Sequence, residues 1–394
     1  MKLGVLATHP IQYHAPLYRA LARELDLHVY FAQRQTAQGQ ADAGFGVAFE
    51  WDVDLLDGYP HTFLENRAGQ PSTDTFGGSD TPQIADVIRA GRFDAFLVTG
   101  WNTRSFWQAM TACWRTGTPL LVRGDSQLNT PRSWAKRLAK EAAYRAFIPR
   151  FDGYLVVGER ARAYYLHYGA DPARMHFVPH FVDNDFFRAG AEAANGGDPL
   201  RAELGYGADA QILLFVGKFI PKKRPVDVVR AAAALRERGG NAHVLLVGAG
   251  ELEGTLRAEA DRAGVPTHFA GFKNQTELPA YYAAADALVL PSDGGETWGL
   301  VVNEAMACGT PAAVSDAVGC APDLIDEGAT GATYSIEGGV AALADALERL
   351  LPLAGEPTTR RALDQKMEIY SLDQAVRGTV EAVLAVSAGR SRSR

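Results

Sequence analysis

Short apolar runs alternate with amphipathic stretches along most of the chain. This alternation is typical of parallel sheets whose strands are covered by helices. Residues 35–80, rich in Gly, Asp and Gln, show no clear period, and we expect irregular structure or β-hairpins there. In the first half the pattern predicts strands at Leu3–Ala7, Leu27–Phe31, Ala95–Thr99, Leu120–Arg123, Gly153–Val157 and His176–Val178, and a helix at Pro16–Glu24.

The second half repeats the alternation after a segment with a strong loop signal. Residues 188–207 contain Asn-Gly-Gly-Asp-Pro, which predicts an interdomain linker. Ser371 and Gln374 form a capping box that opens a last helix through Ala385, followed by a tail expected to be disordered. Between the predicted linker and this last helix, the pattern predicts strands at Ile212–Val216, His243–Val247, His268–Ala270, Ala287–Leu290 and Pro311–Val314, and helices at Pro225–Arg238 and Glu251–Ala263.

A chain of 394 residues exceeds one ordinary hydrophobic core, so two domains are expected. The fold class predicted is α/β, with Rossmann-like domains at 1–190 and 200–370 facing a cleft. The helix at 371–386 is a candidate to pack back on the first domain.

Composition narrows the classes of function. A hydrophobic fraction of 47% and a charged fraction of 22% describe a soluble globular protein. The net charge of -7 argues against nucleic acid as the main partner. The chain enters a strand at once without a signal peptide, and its three scattered cysteines suit reduced thiols, so we expect a cytoplasmic protein.

A first candidate site follows the predicted strand that ends at Pro291. The loop Gly294–Gly299 is rich in glycine and leads into a helix that stops near Gly309. Free backbone N–H groups and a helix N-terminus suit a diphosphate. Glu296 in the loop and Glu304 in the helix suit hydrogen bonds from sugar hydroxyls. The alternative is that two glutamates flank an amphipathic helix by chance.

A second candidate site follows the strand that ends at Val216. Lys218, Lys222, Lys223 and Arg224 crowd the end of this strand, where they repel one another unless an anion lies between them. Lys218 and Lys223 are suited to neutralise a phosphate and to stabilise charge on a departing diphosphate. The alternative is a solvated run of charges.

Together the two segments resemble the retaining GT-B glycosyltransferases of family 4. The family's Glu-x7-Glu motif matches Glu296 and Glu304, followed by AMACGTPAAVSDAVG. Its Gly-Arg-x4-Lys phosphate site matches Gly217, Lys218 and Lys223, with lysine where arginine is commoner. The resemblance is strong over about residues 211–330 and looser in the first half.

The resemblance implies roles for these residues. Glu304 holds the ribose of a donor nucleotide, Glu296 contacts the donor sugar, and the amides of Trp298–Leu300 hold the diphosphate. Phe272 contacts the base or is a core aromatic. The catalytic candidates are Glu296, Lys223 and Lys218. The donor-binding candidates are Gly217, Lys218, Lys223, Phe272, Glu296, Thr297, Trp298, Gly299, Leu300 and Glu304.

The first half carries candidates for the acceptor side. The loop ATHPIQYHAPLYRAL resembles the opening loop of a polysaccharide-associated branch of the family. Its polar side chains at the end of a strand suit acceptor binding, although local caps and core histidines are the alternative. The cleft histidine of many relatives is missing, and its role passes to Arg123, to Asp125 or to a loop histidine, or is dispensable. The acceptor-side candidates are His9, Gln12, Tyr13, His14, Arg123 and Asp125.

The implied activity is transfer of a hexosyl group, with retention, from a nucleoside diphosphate sugar to a hydroxyl of a carbohydrate or lipid-linked acceptor. Surface polysaccharide or glycoconjugate biosynthesis is the implied setting. We expect no cofactor and no metal, because no Asp-x-Asp-like cluster lies beside the phosphate residues. A sugar-nucleotide epimerase or hydrolase, and a non-catalytic nucleotide-sugar-binding module, are the alternatives.

Residues 132–150 are basic in an otherwise acidic protein. One interpretation is peripheral contact with an anionic membrane, at its inner face, where a lipid-linked acceptor would be met. The other is an ordinary amphipathic helix with a solvated basic face.

Overall fold

A computed structural model describes residues 1–34, 51–128 and 134–392, without the side chains of residues 135–139 and of those beyond 389. The chain divides into two compact units. The first comprises Met1–Gln35, Asp54–His180 and Leu372–Arg394, and the second comprises Thr36–Val53 and Phe181–Ser371. Within the described ranges, no helix is long and apolar enough to cross a membrane.

The first unit is built on a seven-stranded parallel sheet of order β3-β2-β1-β4-β5-β6-β7. Its central strands β1, β4, β5 and β6 are buried at nearly every position, as expected of a sheet covered on both faces. The strands are β1 (Lys2–Ala7), β2 (Asp26–Phe31), β3 (His61–Phe63), β4 (Ala95–Val98), β5 (Leu120–Gly124), β6 (Gly153–Val156) and β7 (Met175–Phe177).

Helices pack on this sheet through apolar faces. Pro16 lies in the first turn of α1, where its missing N–H costs nothing. The last helix packs against α1, β6 and β7 in the first unit. The helices are α1 (Ala15–Glu24), α2 (Ile84–Gly91), α3 (Arg104–Thr116), α4 (Trp134–Phe147), α5 (Glu159–His167) and, after the second unit, α15 (Leu372–Arg392).

The second unit is built on a six-stranded parallel sheet of order β10-β9-β8-β11-β12-β13. Its strands are β8 (Gln211–Val216), β9 (Ala242–Val247), β10 (Thr267–Gly271), β11 (Ala287–Leu290), β12 (Ala312–Ser315) and β13 (Gly331–Tyr334). Its helices are α6 (Asn184–Ala193), α7 (Asp198–Glu203), α8 (Pro225–Glu237), α9 (Glu253–Ala263), α10 (Leu278–Ala283), α11 (Leu300–Ala307), α12 (Ala321–Leu324), α13 (Gly339–Leu350) and α14 (Pro357–Ile369).

The structure differs from the sequence predictions in the segment 188–207. The predicted linker carries part of α6 and all of α7, and the boundary between the units falls between His180 and Phe181. The Asn-Gly-Gly turn is real, but it joins two helices. A Cβ at Gly197 would lie 2.3 Å from the backbone nitrogen of Ala284, so the turn is packed inside the second unit.

One further prediction is corrected at the end of the chain. The tail expected to be disordered continues α15 as far as Arg392, and the Ser387 hydroxyl donates to the carbonyl of Val383 at 2.7 Å. Within 51–80, the described part of the segment expected to hold irregular structure or β-hairpins, most residues are irregular, His61–Phe63 is a short parallel strand beside β2, and no hairpin is formed. The rest of that segment lies outside the described residues.

Loops at the carboxyl edge of the second sheet approach one another so closely that only glycine fits. A Cβ on Gly248, after β9, would lie 2.0 Å from the carbonyl oxygen of Gly217, after β8. A Cβ on Gly319, after β12, would lie 1.8 Å from the carbonyl oxygen of Thr297, after β11. The backbone of one loop therefore fixes the position of the next.

We predict that Gly319→Ala lowers the free energy of unfolding by about 2 kcal/mol or more, because the added methyl forces the two loops apart. Gly254→Ala is the matched control, since a Cβ at this position in α9 meets nothing within 4 Å and alanine favours a helix. Urea denaturation measures both variants. Equal stability of the two variants would contradict the interlocked loops.

Candidate functional site

The carboxyl edge of the second sheet brings together the two segments singled out in the sequence. The ammonium of Lys223, after β8, forms an ion pair with the Glu296 carboxylate, after β11. Their side chains are only 17% and 16% exposed. The Ser292 hydroxyl lies 3.5 Å from the same carboxylate oxygen. A lysine and a glutamate separated by 73 positions in the sequence thus occupy one partly buried site.

Main-chain hydrogen bonds hold this pair in place. The N–H of Asp293 donates to the carbonyl of Lys222 at 2.9 Å, which ties the two loops together. The Asp293 carboxylate accepts from the N–H of Gly295 at 2.8 Å, and its carbonyl accepts from the N–H of Glu296 at 3.0 Å. The loop is a turn folded around Asp293, and it presents Glu296 to Lys223.

Glu304, the second glutamate of the motif, is buried, with only 2% of its surface exposed. It belongs to α11, and its carboxylate accepts a hydrogen bond of 2.5 Å from the Tyr282 hydroxyl. A buried carboxylate needs such partners, because its desolvation is costly. The phenol orients one oxygen of Glu304 and leaves the side chain at the base of the same edge.

The N-terminus of α11 opens at Gly299, the residue that caps it. The Trp298 side chain points into the core, where its indole N–H donates to the Asn303 amide oxygen at 2.8 Å. The side chain of this residue therefore does not line the helix mouth. Backbone N–H groups and the positive end of the helix dipole favour an anion at such a mouth.

The remaining donor-side candidates lie around this edge. Gly217 and Lys218 follow β8 directly, and Lys218 is half-buried. Thr297 and Leu300 are half-buried on either side of the helix mouth. Phe272 follows β10 and is also half-buried, so neither of its two interpretations is eliminated.

One expectation about the basic cluster needs correction. Arg224 turns away from the other cations and forms an ion pair of 2.6 Å with Asp227 in the first turn of α8. With Lys223 held by Glu296, two of the four cations already have a protein carboxylate. Repulsion within the cluster therefore does not by itself require an external anion.

Two residues of this edge were missed from the sequence. Tyr282 supports Glu304 from α10, and no local motif signals that contact. Gln275 follows Phe272 and is 8% exposed, and its amide oxygen has no hydrogen-bond partner. A buried acceptor without a partner is uncommon in folded proteins, so Gln275 is a candidate to receive a ligand N–H.

In the first unit the structure brings Arg123, His14 and His180 together. One terminal nitrogen of Arg123 lies 3.3 Å from Nε2 of His14, and the other lies 3.5 Å from Nδ1 of His180 and donates to the Pro179 carbonyl at 3.1 Å. Arg123 is 6% exposed at the end of β5. His14 caps α1 by position, but its ring bonds to Arg123 and not to the helix.

The guanidinium fixes the protonation of both rings. A guanidinium has donors only, so the two facing imidazole nitrogens must be unprotonated acceptors. Burial, then the charge of Arg123, lowers the pKa of His14 from 6.5 to about 3. Burial and Arg123 likewise lower the pKa of His180 well below its ordinary value. Both rings are neutral, each with its proton on the nitrogen that points away from Arg123.

The other acceptor-side candidates follow the ends of β1 and β5. The ring nitrogen Nδ1 of His9 lies 3.1 Å from the Thr8 hydroxyl, and burial lowers the pKa of His9. Gln12 and Tyr13 are half-buried in the turn before α1. Asp125 lines a separate cavity.

The basic segment 132–150 is only partly described. Residues 132 and 133 and the side chains of Lys136 and Arg137 lie outside the described residues. The Lys140 ammonium packs over the Tyr164 ring at 4.6 Å, and Arg150 lies over the Trp114 ring at 4.1 Å. Trp134 is 80% exposed. Membrane contact by this helix stays a prediction, with some of its cations engaged by the protein itself.

No group of three or more His, Cys, Asp or Glu side chains suited to a metal ion is found in the part of the chain that the structure describes.

We predict that the neutral state of His14 makes stability pH-dependent. The folded pKa of about 3 lies below the unfolded value of 6.5, so the unfolded chain binds more protons between these limits. The free energy of unfolding therefore falls as pH drops through this window. In urea denaturation at several pH values, the free energy of unfolding should change less steeply with pH for His14→Gln than for the wild type. An unchanged slope would contradict the assignment.

Two family models match the chain in succession. Residues 11–180 match a glycosyl transferase 4-like domain, and residues 198–367 match the glycosyl transferases of group 1. A D-inositol 3-phosphate glycosyltransferase of Mycobacterium leprae is 35% identical over 225 residues, which are 55% of this chain and 49% of that protein. The chain spans about half the length of the curated relatives it matches.

Solved structures share the fold over nearly the whole chain. Anabaena HepE in complex with UDP superposes with a TM-score of 0.73 at 18% identity, covering 98% of this chain and 100% of that one. Its complex with UDP-glucose gives 0.66 at 18% identity, covering 97% and 100%. WaaG, a glycosyltransferase involved in lipopolysaccharide biosynthesis, gives 0.61 at 15% identity, covering 97% and 98%. The two matched domains, on two Rossmann-like units with parallel sheets, identify the chain as a GT-B glycosyltransferase of the family 4 type.

Proposed function

We propose that this protein is a retaining hexosyltransferase that uses a nucleoside diphosphate sugar. The bond between the anomeric carbon and the diphosphate breaks, and a bond to an acceptor hydroxyl forms on the same face of the sugar. The observation that carries the proposal is the partly buried pair of Lys223 and Glu296, beside the N-terminus of α11.

The donor groups are assigned by chemistry. The diphosphate lies against Lys218, Lys223 and the first backbone N–H groups of α11, which stabilise charge on the leaving group. Glu296 accepts hydrogen bonds from the sugar, and Glu304 accepts them from the ribose. The Tyr282 hydroxyl supports this role, because its hydrogen bond fixes the orientation of the buried Glu304 carboxylate.

The ion pair with Glu296 compensates the charge of Lys223 before a donor binds. A lysine buried without a counterion would be strongly disfavoured, so Glu296 compensates Lys223 until an anion arrives. When the diphosphate binds, Lys223 turns to it and Glu296 is released to the sugar hydroxyls. Donor binding thus exchanges one set of charge-assisted hydrogen bonds for another.

The acceptor is proposed to be a hydroxyl of a carbohydrate or a lipid-linked sugar, in surface polysaccharide or glycoconjugate biosynthesis. WaaG, which shares the fold, acts in lipopolysaccharide biosynthesis. HepE, which also shares it, binds UDP and UDP-glucose, so uridine donors are the first to test.

A thermal-shift panel of UDP, GDP, ADP, CMP and dTDP sugars identifies the donor, since a ligand of the folded state raises the melting temperature. Incubation with the donor, alone and with acceptors, then separates three activities. Formation of product only in the presence of an acceptor supports transfer, and NMR of that product should show a retained anomeric configuration. Turnover of the donor alone indicates a hydrolase or epimerase, and binding without turnover indicates a sensor.

We predict that Glu304→Gln weakens donor binding by about tenfold to a hundredfold, because it removes charge from a hydrogen bond to the ribose. Calorimetric titration with UDP measures the loss. Glu237→Gln, an exposed carboxylate at the end of α8, is the charge-matched control. Equal affinities for both variants would exclude Glu304 from the site.

We predict that Lys223→Ala lowers kcat as well as donor affinity, by about a hundredfold in kcat/KM, because it removes a cation from the leaving group. Lys222→Ala changes the neighbouring, exposed lysine and should give a much smaller loss. Steady-state kinetics with the identified donor measure both variants. Equal losses would indicate a general effect of charge rather than a placed ammonium.

Transfer is proposed to need no metal, since the lysines and the helix N-terminus supply the positive charge. The rate should be unchanged by EDTA and by added Mg²⁺. A loss of activity in EDTA that Mg²⁺ restores would refute this part of the proposal.

A further inference from the structure

A polar cavity of about 380 Å³ opens at the carboxyl edge of the first sheet. It lies at the ends of β1, β4 and β5, where the order of strands reverses between β1 and β4. Ligands of open α/β sheets bind at such a reversal point. The volume suits one sugar ring with its substituents.

The lining of this cavity is acidic and rich in hydroxyl groups. Asp74 and Asp125 contribute carboxylates, Asn102 an amide, and Thr8 and Ser126 hydroxyls. Among the described residues that line it, none is Lys, Arg or His. Carboxylates accept hydrogen bonds and repel other anions, so these walls suit a ligand that presents several O–H groups and no negative charge.

Trp101 supplies a rigid aromatic wall. Its indole N–H lies 3.2 Å from the Tyr144 hydroxyl, and its carbonyl accepts from the Trp107 indole at 2.9 Å. Its ring stacks on that of Tyr164 with an angle of 16° between the planes. The wall is therefore set before any ligand arrives, which lowers the entropy lost on binding.

The cluster of Arg123, His14 and His180 in the same unit does not line this cavity. The Arg123 guanidinium is directed to His14 and His180, and the Asp125 carboxylate acts on it at longer range through its charge. A phosphorylated ligand in the cavity would meet two carboxylates and no facing cation among the described residues.

We infer that this cavity takes the acceptor as an uncharged sugar, with hydroxyls bonded to Asp74, Asp125 and Asn102 and the ring against Trp101, and that it discriminates against phosphorylated acceptors. The inference rests on the proposed transferase function and specifies its acceptor. It separates this protein from its mycobacterial relatives, which are named for an inositol phosphate.

Saturation-transfer NMR tests the binding of paired probes to the full chain. The pairs are the methyl glycosides of glucose, galactose and mannose and their 6-phosphates. We expect at least one neutral glycoside to receive saturation while its phosphate does not. If every neutral glycoside fails, or if the phosphates bind as well, the inference is overturned.

The double variant Asp74→Asn, Asp125→Asn tests the cause of the preference. Removing both charges should reduce the preference for the neutral glycoside over its phosphate by about tenfold or more. Asp86→Asn is the control, because its exposed carboxylate lies on α2, outside the cavity. A preference unchanged in the double variant would also overturn the inference.

A third variant measures the hydroxyl contacts themselves. Asn102→Ala should raise KM for the acceptor with little change in kcat. UDP should raise the melting temperature of this variant as much as it raises that of the wild type. A KM equal to that of the wild type would contradict the contact. Failure of the wild type to bind any nucleotide sugar, which is measured without an acceptor glycoside, would instead refute the proposed function.

Discussion

The donor-side edge depends on how closely its loops approach one another. A Cβ on Gly248 would clash with the carbonyl oxygen of Gly217, and a Cβ on Gly319 would clash with that of Thr297. Only glycine fits at these two positions. Two further main-chain bonds join Gly319 to Glu296 and Cys320 to Trp298, both at 3.0 Å. The charged side chains therefore stand on an edge whose geometry is set by backbone contacts between strand ends.

Charge at this edge is organised in pairs. Glu296 compensates Lys223, and Asp227 draws Arg224 away to the start of α8. In a partly buried setting such a partner stabilises a cation, because an unpaired charge loses its hydration and gains no attraction to an opposite charge. In the proposed function, an anionic donor enters this site by taking Lys223 over from Glu296.

Much of this was predictable from local sequence. Inner strands such as Ala287–Leu290 were predicted with the observed bounds, because a continuous apolar run in a parallel sheet leaves few alternatives. The helix after Gly299 and its end before Gly309 followed from the glycines that flank it. The short strands His61–Phe63 and Gly331–Tyr334 were not recognised, since three or four residues of mixed polarity carry no period.

Other features depended on distant contacts. The pairing of Lys223 with Glu296 spans 73 positions, and no local pattern encodes it. The helices within 188–207 were hidden by a strong turn signal, although the alanines of α6 favour a helix and the turn packs against Ala284. In the first unit, the partner of His14 is a strand residue 109 positions away, and no local pattern encodes this contact.

Hydrogen–deuterium exchange with and without a saturating nucleotide sugar tests the central claim most directly, because it reports where the donor binds without any substitution. We expect new protection in the segments 217–223 and 295–304. Protection confined to the loops of the first sheet, with these two segments unchanged, would contradict it.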